Sequence, residues 1–152
     1  MTLYHLSETD LNNKTLTPRI PHNKFTENGY EEGKTARVCF APTIDGAMMA
    51  LTGDKTNKRY YVHTPVNEIN PKYISHPTKH DVPDSHLTGE IWVLTPVKLK
   101  CIGIIETSYV TRDKPLTYRY GNTIGRIYKW NWKWVNKLSE VQQIYNELIG
   151  GS

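Results

Sequence analysis

The chain of 152 residues has only two cysteines and no run approaching the roughly eighteen consecutive apolar residues that a membrane span requires. Two cysteines are too few for a disulfide framework, and Cys39 and Cys101 both fall inside apolar runs, where buried free thiols are usual. A reducing, cytoplasmic setting is the expectation, with no membrane partner. Residues 1–8 lack a basic leader followed by an apolar core, so secretion is not expected. There is no internal repeat, no low-complexity tract and no block of one charge. The 19 Lys and Arg against 15 Asp and Glu give a net charge of +4, which favours an anionic partner such as a nucleotide or nucleic acid only mildly. The cations gather toward the end, where Arg112, Lys114, Arg119, Arg126, Lys129, Lys133 and Lys137 meet few acids.

What is present suffices for one folded domain spanning 1–152. Hydrophobic residues make up 38% and charged residues 22%, with ten tyrosines and four tryptophans, which excludes a disordered chain. A short strand over residues 2–6 ends in the turn formers Ser7, Asp10, Asn12 and Asn13. Residues 15–34, with Pro18, Pro21, Gly29 and Gly33, read as a long irregular loop of the kind that often carries function. Residues 37–41 form a strand stopped by Pro42. Thr43 then caps a helix with Asp45 in its first turn, an apolar stripe of Ile44, Ala47, Met48 and Leu51, and Gly53 at the C′ position. A strand over 59–64 precedes a second irregular stretch, 65–86, punctuated by Pro71, Pro77 and Pro83. Strands follow over 90–105, broken near Pro96, and over 108–112, 116–119 and 127–135. A helix over 140–149 closes the chain, with an apolar stripe of Val141, Ile144, Tyr145 and Leu148. Strands dominate and helices are few, so the class is α+β.

The run from Thr88-Gly89-Glu90-Ile91-Trp92-Val93-Leu94 mounts a lone carboxylate at a strand entrance. Period-two alternation puts Glu90, Trp92 and Leu94 on one face and Ile91, Val93 and Thr95 on the other. Gly89 frees the backbone to turn, and the Trp92 ring supplies an apolar wall that strengthens any charge contact Glu90 makes. Such a carboxylate suits stabilisation of a developing cation. The alternative is a solvent-facing glutamate at a strand edge.

Three motifs in order resemble the poly(ADP-ribose) polymerase-like branch of the ADP-ribosyltransferases over roughly residues 3–105. They are Leu3-Tyr4-His5-Leu6-Ser7, then Val38-Cys39-Phe40-Ala41 with the helix after it, then Gly89-Glu90-Ile91-Trp92-Val93 followed by Val97-Lys98-Leu99-Lys100. The resemblance implies two packed, mostly antiparallel sheets with few short helices, and transfer of ADP-ribose from NAD to a macromolecular acceptor, protein or nucleic acid. It implies that His5 holds the adenosine ribose, the Leu6 backbone holds the nicotinamide amide, and Glu90 is the catalytic carboxylate. Cys39 and Phe40 would stand at the nicotinamide, and the 15–34 loop would cover the cofactor. By charge, Arg19 or Arg37 would lie near the pyrophosphate. Three positions depart from the family pattern. Leu6 replaces a glycine, Cys39 replaces a stacking tyrosine, and a second stacking tyrosine falls near Met48 or Met49. The stacking ring must then come from Phe40, Tyr60, Tyr61 or Tyr30. Thr88 stands where arginine-modifying relatives carry a second acid, which disfavours arginine as acceptor. A toxin, a phage effector and a housekeeping modifier are all compatible with this reading.

Two other readings stay open. The fold could be kept without catalysis, as a module that binds a nucleotide-like ligand or a partner protein. The chain could also hold single-stranded nucleic acid through Tyr128-Lys129-Trp130-Asn131-Trp132-Lys133-Trp134. Strict alternation there puts rings and cations on opposite faces, which favours packing of the rings on the core or the final helix. His63 lies in a β-rich run and could face solvent. His76, His80, Asp81, Asp84 and His86 are metal-ligand types, but Pro77 and Pro83 break any helix that would align them, so a polar loop near the site is the expectation and no metal is assigned.

Overall fold

The structure is a computed structural model and describes residues 1–22, 24–138, 145, 148 and 149. Twelve short and long elements follow one another as β1 (His5–Ser7), β2 (Thr15–Leu16), α1 (Lys24–Glu27), β3 (Val38–Phe40), α2 (Ile44–Ala50), β4 (Arg59–Pro65), a 3-10 turn (Pro71–Tyr73), β5 (Ile74–Ser75), α3 (Ser85–Thr88), β6 (Ile91–Val93), β7 (Val97–Tyr120) and β8 (Thr123–Lys137). A five-stranded sheet runs β1-β4-β7-β2, with β8 also paired to β7, and a three-stranded sheet runs β3-β6-β5. The strand pairs are antiparallel. The class is therefore α+β with mostly antiparallel sheets and few short helices. No helix among the described residues is long and apolar enough to cross a membrane.

Two apolar clusters fill the molecule. Val38, Phe40, Ile91 and Val93 of the small sheet meet Leu3, Val97 and Leu99. The second cluster joins α2 through Ile44, Ala47 and Met48 to Leu6, Tyr60, Val62 and Ile105 of the large sheet. Trp130, Trp132 and Trp134 pack against this second cluster, while Lys129 and Lys133 are exposed. The Trp132 indole N–H also donates to Asp45 Oδ1 at 2.9 Å, tying β8 to α2. Alternation in the tail thus serves packing. Of the closing helix expected over 140–149, only Tyr145, Leu148 and Ile149 are described, in helical conformation and exposed, so these side chains do not cover the rings. The rest of that helix lies outside the described residues.

Several local expectations change. Thr43 caps α2 as read, its Oγ1 accepting the Gly46 N–H at 2.9 Å, but the helix ends at Leu51 in extended conformation with its N–H on the Met48 carbonyl. No left-handed C′ residue is then needed, and Gly53 takes its φ of +86° in the loop beyond. Within 15–34, β2 forms because β7 offers it a partner, Thr15 opposite Lys98 and Leu16 opposite Val97. Within 65–86, Asn70 caps the 3-10 turn through its side chain, and Pro71 begins it. The two strands expected over 108–112 and 116–119 are parts of the single β7. Its ladder to β8 slips between Thr111 and Leu116, where Pro115 has no N–H to give. Together β7 and β8 form a long arm whose outer half reaches beyond β4, which stops pairing at Glu106.

Candidate functional site

A cleft of about 540 Å³ opens between β1, β3, α2, the 82–84 loop and the outer part of the arm. His5 and Glu90, distant in sequence, both line it. So do Leu6, Cys39 and Phe40.

β1 delivers His5 by pairing with β4, His5 opposite His63. The His5 ring Nδ1 sits 3.2 Å from the Cys39 carbonyl oxygen and edge-on to the Phe40 ring, centroids 5.9 Å apart. A carbonyl only accepts, so Nδ1 carries the proton. Burial holds the imidazole below its ordinary pKa of 6.5, outweighing the Cys39 contact, and the Arg19 charge adds to the lowering. The neutral ring keeps its Nε2 lone pair as an acceptor. Beneath it His63 is fully buried, correcting the expectation of a solvent-facing ring. Its Nε2 accepts the Leu11 N–H at 2.9 Å, so Nδ1–H donates to the His5 carbonyl at 3.2 Å and fixes the strand that carries His5.

Glu90 follows the short helix α3, whose cap Gly89 adopts φ +73° and donates its N–H to Ser85. That left-handed turn is open to glycine, and it points the chain from the helix into β6. The Glu90 N–H donates to Thr88 Oγ1 at 3.2 Å, and the Trp92 indole N–H donates to Glu90 Oε2 at 2.8 Å. Glu90 and Trp92 therefore share a face as the alternation demands, and the ring contributes a hydrogen bond as well as a wall. Burial pushes the Glu90 carboxyl up to about 7, with the Trp92 bond opposing, Glu31 and Asp84 adding to the rise and Arg37 drawing it down. The α2–α3 contact sets the position of this turn: a Cβ on Gly46 would lie 2.1 Å from the Thr88 carbonyl oxygen, so only glycine lets the helices approach.

Cys39 lies opposite Trp92 in the β3–β6 ladder. Burial pushes its thiol up to about 12, with the Glu90 charge adding to it, so it is a neutral wall of the cleft and no nucleophile. Leu6 turns its side chain into the core, 5% exposed.

Arg19 and Arg37, expected near a pyrophosphate, do not line the cleft. Arg37 is 2% exposed, its guanidinium bound to Glu31 at 3.0 Å and Glu32 at 3.1 Å and stacked on the Trp92 ring at 4.0 Å. A cation so paired braces the wall behind Glu90. Arg19 is exposed and joins Arg37 only through backbone hydrogen bonds. Among the candidate stacking rings, Phe40 lines the cleft, whereas Tyr60 is core, Tyr61 lies beside His63 and Tyr30 packs on Tyr120 with centroids 5.2 Å apart. Met49 lines the cleft and Met48 is core.

Tyr4, Glu31 and Tyr118 are lining residues that sequence reasoning did not assign, and Asp84 lines the cleft from the polar stretch expected near the site. Tyr118 arrives from the arm, its ring lying against the bare backbone of its ladder partner Gly125. Asp84 precedes α3 without capping it, and burial pushes its carboxyl up. The metal-ligand types of the 76–86 stretch do not gather. Among the described residues the one such grouping is Asp10, His63 and Cys101, and there both ring nitrogens of His63 are already engaged.

Comparison with protein-family models, with curated proteins and with solved structures gives no match to this chain.

Proposed function

We propose that this chain adopts an ADP-ribosyltransferase-like fold and transfers ADP-ribose from NAD to a macromolecular acceptor, with Glu90 as the catalytic carboxylate. The observation that carries the reading is the convergence of His5 and Glu90 on one cleft of about 540 Å³, within the size range of small-molecule sites. The residues fit the sugar and ring portions of the donor. Neutral His5 offers Nε2 to a ribose hydroxyl, Glu90 offers a carboxylate to the reacting ribose, and Phe40, Tyr4 and Tyr118 offer apolar ring surface. No Lys or Arg lines the cleft among the described residues, so the phosphates find no cation there.

In the reaction the bond between the ribose anomeric carbon and the nicotinamide nitrogen breaks, and nicotinamide leaves neutral with the electron pair. The sugar gains positive charge, which a fixed anion in a half-dry cleft stabilises more than it stabilises the ground state. An acceptor oxygen, nitrogen or sulfur then bonds the anomeric carbon and gives up its proton. Incubation with labelled NAD and cell extract tests the reading. Glu90→Gln is expected to lower label transfer by about a hundredfold or more. Equal transfer by wild type and Glu90→Gln would end it.

Cys39 at the stacking position and the lack of a cation in the cleft favour a second reading, a module that binds a nucleotide-like ligand without turnover. Calorimetric binding of NAD with no release of nicotinamide would select it.

A further inference from the structure

Beside the cleft lies a groove of about 440 Å³ that shares Met49, Leu51 and Ile127 with it. Its own walls include Asp54, Lys55, Arg112, Arg126, Tyr128 and Trp130. Lys55 is 6% exposed, with its Nζ 5.5 Å from the centroid of the Trp130 ring. Neither it, Arg112 nor Arg126 has an acid within ion-pair distance among the described residues, whereas Arg37, Lys58 and Arg59 are each paired. The single acid of the groove, Asp54, is turned onto its own loop, accepting from the Thr56 N–H and hydroxyl. The Asp54 charge reaches Lys55 and Arg112 only from beyond ion-pair distance, and holding a buried ammonium without a closer anion is costly, so Lys55 beside the exposed guanidiniums of Arg112 and Arg126 marks a place suited to an anion.

Rings and cations here face the same space. Positions 126, 128 and 130 alternate along β8 and share a side, so Arg126 stands in line with Tyr128 and Trp130, while Lys55 and Arg112 arrive from other segments. The separation of rings from Lys129 and Lys133 is real, but it concerns the opposite face. The arm also concentrates the charge. Between Val97 and Lys137 there are nine Lys and Arg against two acids, net +7 in a chain of net +4, which leaves the remainder at −3. A polyanion is drawn to such a pole.

We propose that this groove binds a segment of single-stranded nucleic acid, with Lys55, Arg112 and Arg126 on its phosphates and Tyr128 and Trp130 stacked with a base. The combination of unpaired cations and aromatic rings on one surface is what sequence-tolerant strand binding requires. The site stands independently of the transfer reaction, since none of Lys55, Arg112, Arg126, Tyr128 and Trp130 lines the cleft.

Fluorescence anisotropy of a labelled oligothymidylate tests it without NAD. Wild type is expected to bind, with affinity falling steeply between about 50 and 200 mM salt. The double variant Arg112→Ala/Arg126→Ala, both exposed and so neutral to folding, is expected to weaken binding at least about tenfold and to flatten the salt slope by about 1.4, or 0.7 per lost phosphate contact. Tyr128→Leu should weaken it by about five- to a hundredfold. Lys129→Ala/Lys133→Ala, on the opposite face, should change it less than about twofold. The proposal is overturned by no binding at low salt, by wild-type affinity in the groove variant, or by equal losses in both double variants. Competition by polyglutamate or by free thymidine monophosphate at the concentration of the strand would overturn it too. So would loss of NAD affinity without loss of strand affinity in the groove variant, which would give the groove to the dinucleotide.

Discussion

Replacing Glu90 by glutamine should stabilise the protein, and only above about pH 4.5, with most of the gain in place by pH 7. The carboxyl is raised from 4.5 to about 7 in the folded chain, chiefly by burial. A group with a raised folded pKa contributes its stabilisation below the unfolded value and loses it as pH climbs through the folded one. At about 1.36 kcal/mol for each pH unit between the two values, the loss approaches about 3 kcal/mol above pH 7.5. Glutamine keeps the shape and can still accept the Trp92 N–H, but has no charge to desolvate. Below pH 4.5 both proteins carry a neutral group and should unfold together. By pH 8.5 the variant should melt about 6–12 °C above wild type, at about 2–4 °C per kcal/mol for a domain of this size. Thermal and urea unfolding of both proteins across pH 4.5–9 gives the difference directly, and titrating groups that do not feel the Glu90 charge cancel from it. Parallel curves over that range would refute the placement of Glu90 in a dry wall, and with it the electrostatic argument for its role.

Trp92→Phe removes the donor to Glu90 Oε2, and a hydrogen bond to a charged group is worth about 1.5–3 kcal/mol, so the carboxyl should rise from about 7 to about 8–9. A carboxyl carbon NMR titration reads that midpoint, and under the proposed reaction label transfer should move to higher pH with it. Gly46→Ala should destabilise the fold by about 1–3 kcal/mol, because its methyl meets the Thr88 carbonyl backbone rather than a yielding side chain, and equilibrium urea unfolding measures the loss. His5 and His63 are both held below 6.5 by burial, so as pH falls through 6.5 the unfolded chain takes up protons that the folded chain refuses. Stability should therefore drop below pH 6.5. His63→Gln should flatten that drop, and unfolding midpoints at pH 5 and 7 decide it.

Much of the site was legible because its residues carry local signals. Gly89 before Glu90 and Trp92 two residues on fix a turn and a face, and the structure keeps both. Thr43 and Asp45 announce α2 with equal clarity, since capping is a matter of a few neighbouring atoms. The partners of Arg37 are not legible in the sequence, because charge alone does not name a partner. Glu31 and Glu32 sit six and five residues upstream, but only folding brings them onto the guanidinium and lays it over Trp92. Tyr118 was invisible for another reason: its place in the cleft depends on the reach of the β7–β8 arm, a property of pairing between strands and not of either strand's composition.

The same limit of local patterning appears in β7 itself. Val97, Leu99, Ile105 and Thr107 form one alternating stripe in the sequence, and all four are buried. In the ladder with β4, Cys101 faces His63 and Gly103 faces Val62, so Ile102 has no partner and the phase turns over at that bulge. Val97 and Leu99 therefore close the cluster under the small sheet, while Ile105 joins Tyr60, Val62 and α2 on the opposite face. One inserted residue lets a single strand serve two cores. The first core carries β3 and β6, and with them Cys39, Phe40 and the approach to Glu90. The second seats α2 and the aromatic side of the arm. The cleft takes lining residues from both halves, Phe40 from the first and Leu6, Ala41 and Ala47 from the second, and the change of phase at Ile102 that lets one strand serve both is something no count of apolar positions along the chain would reveal.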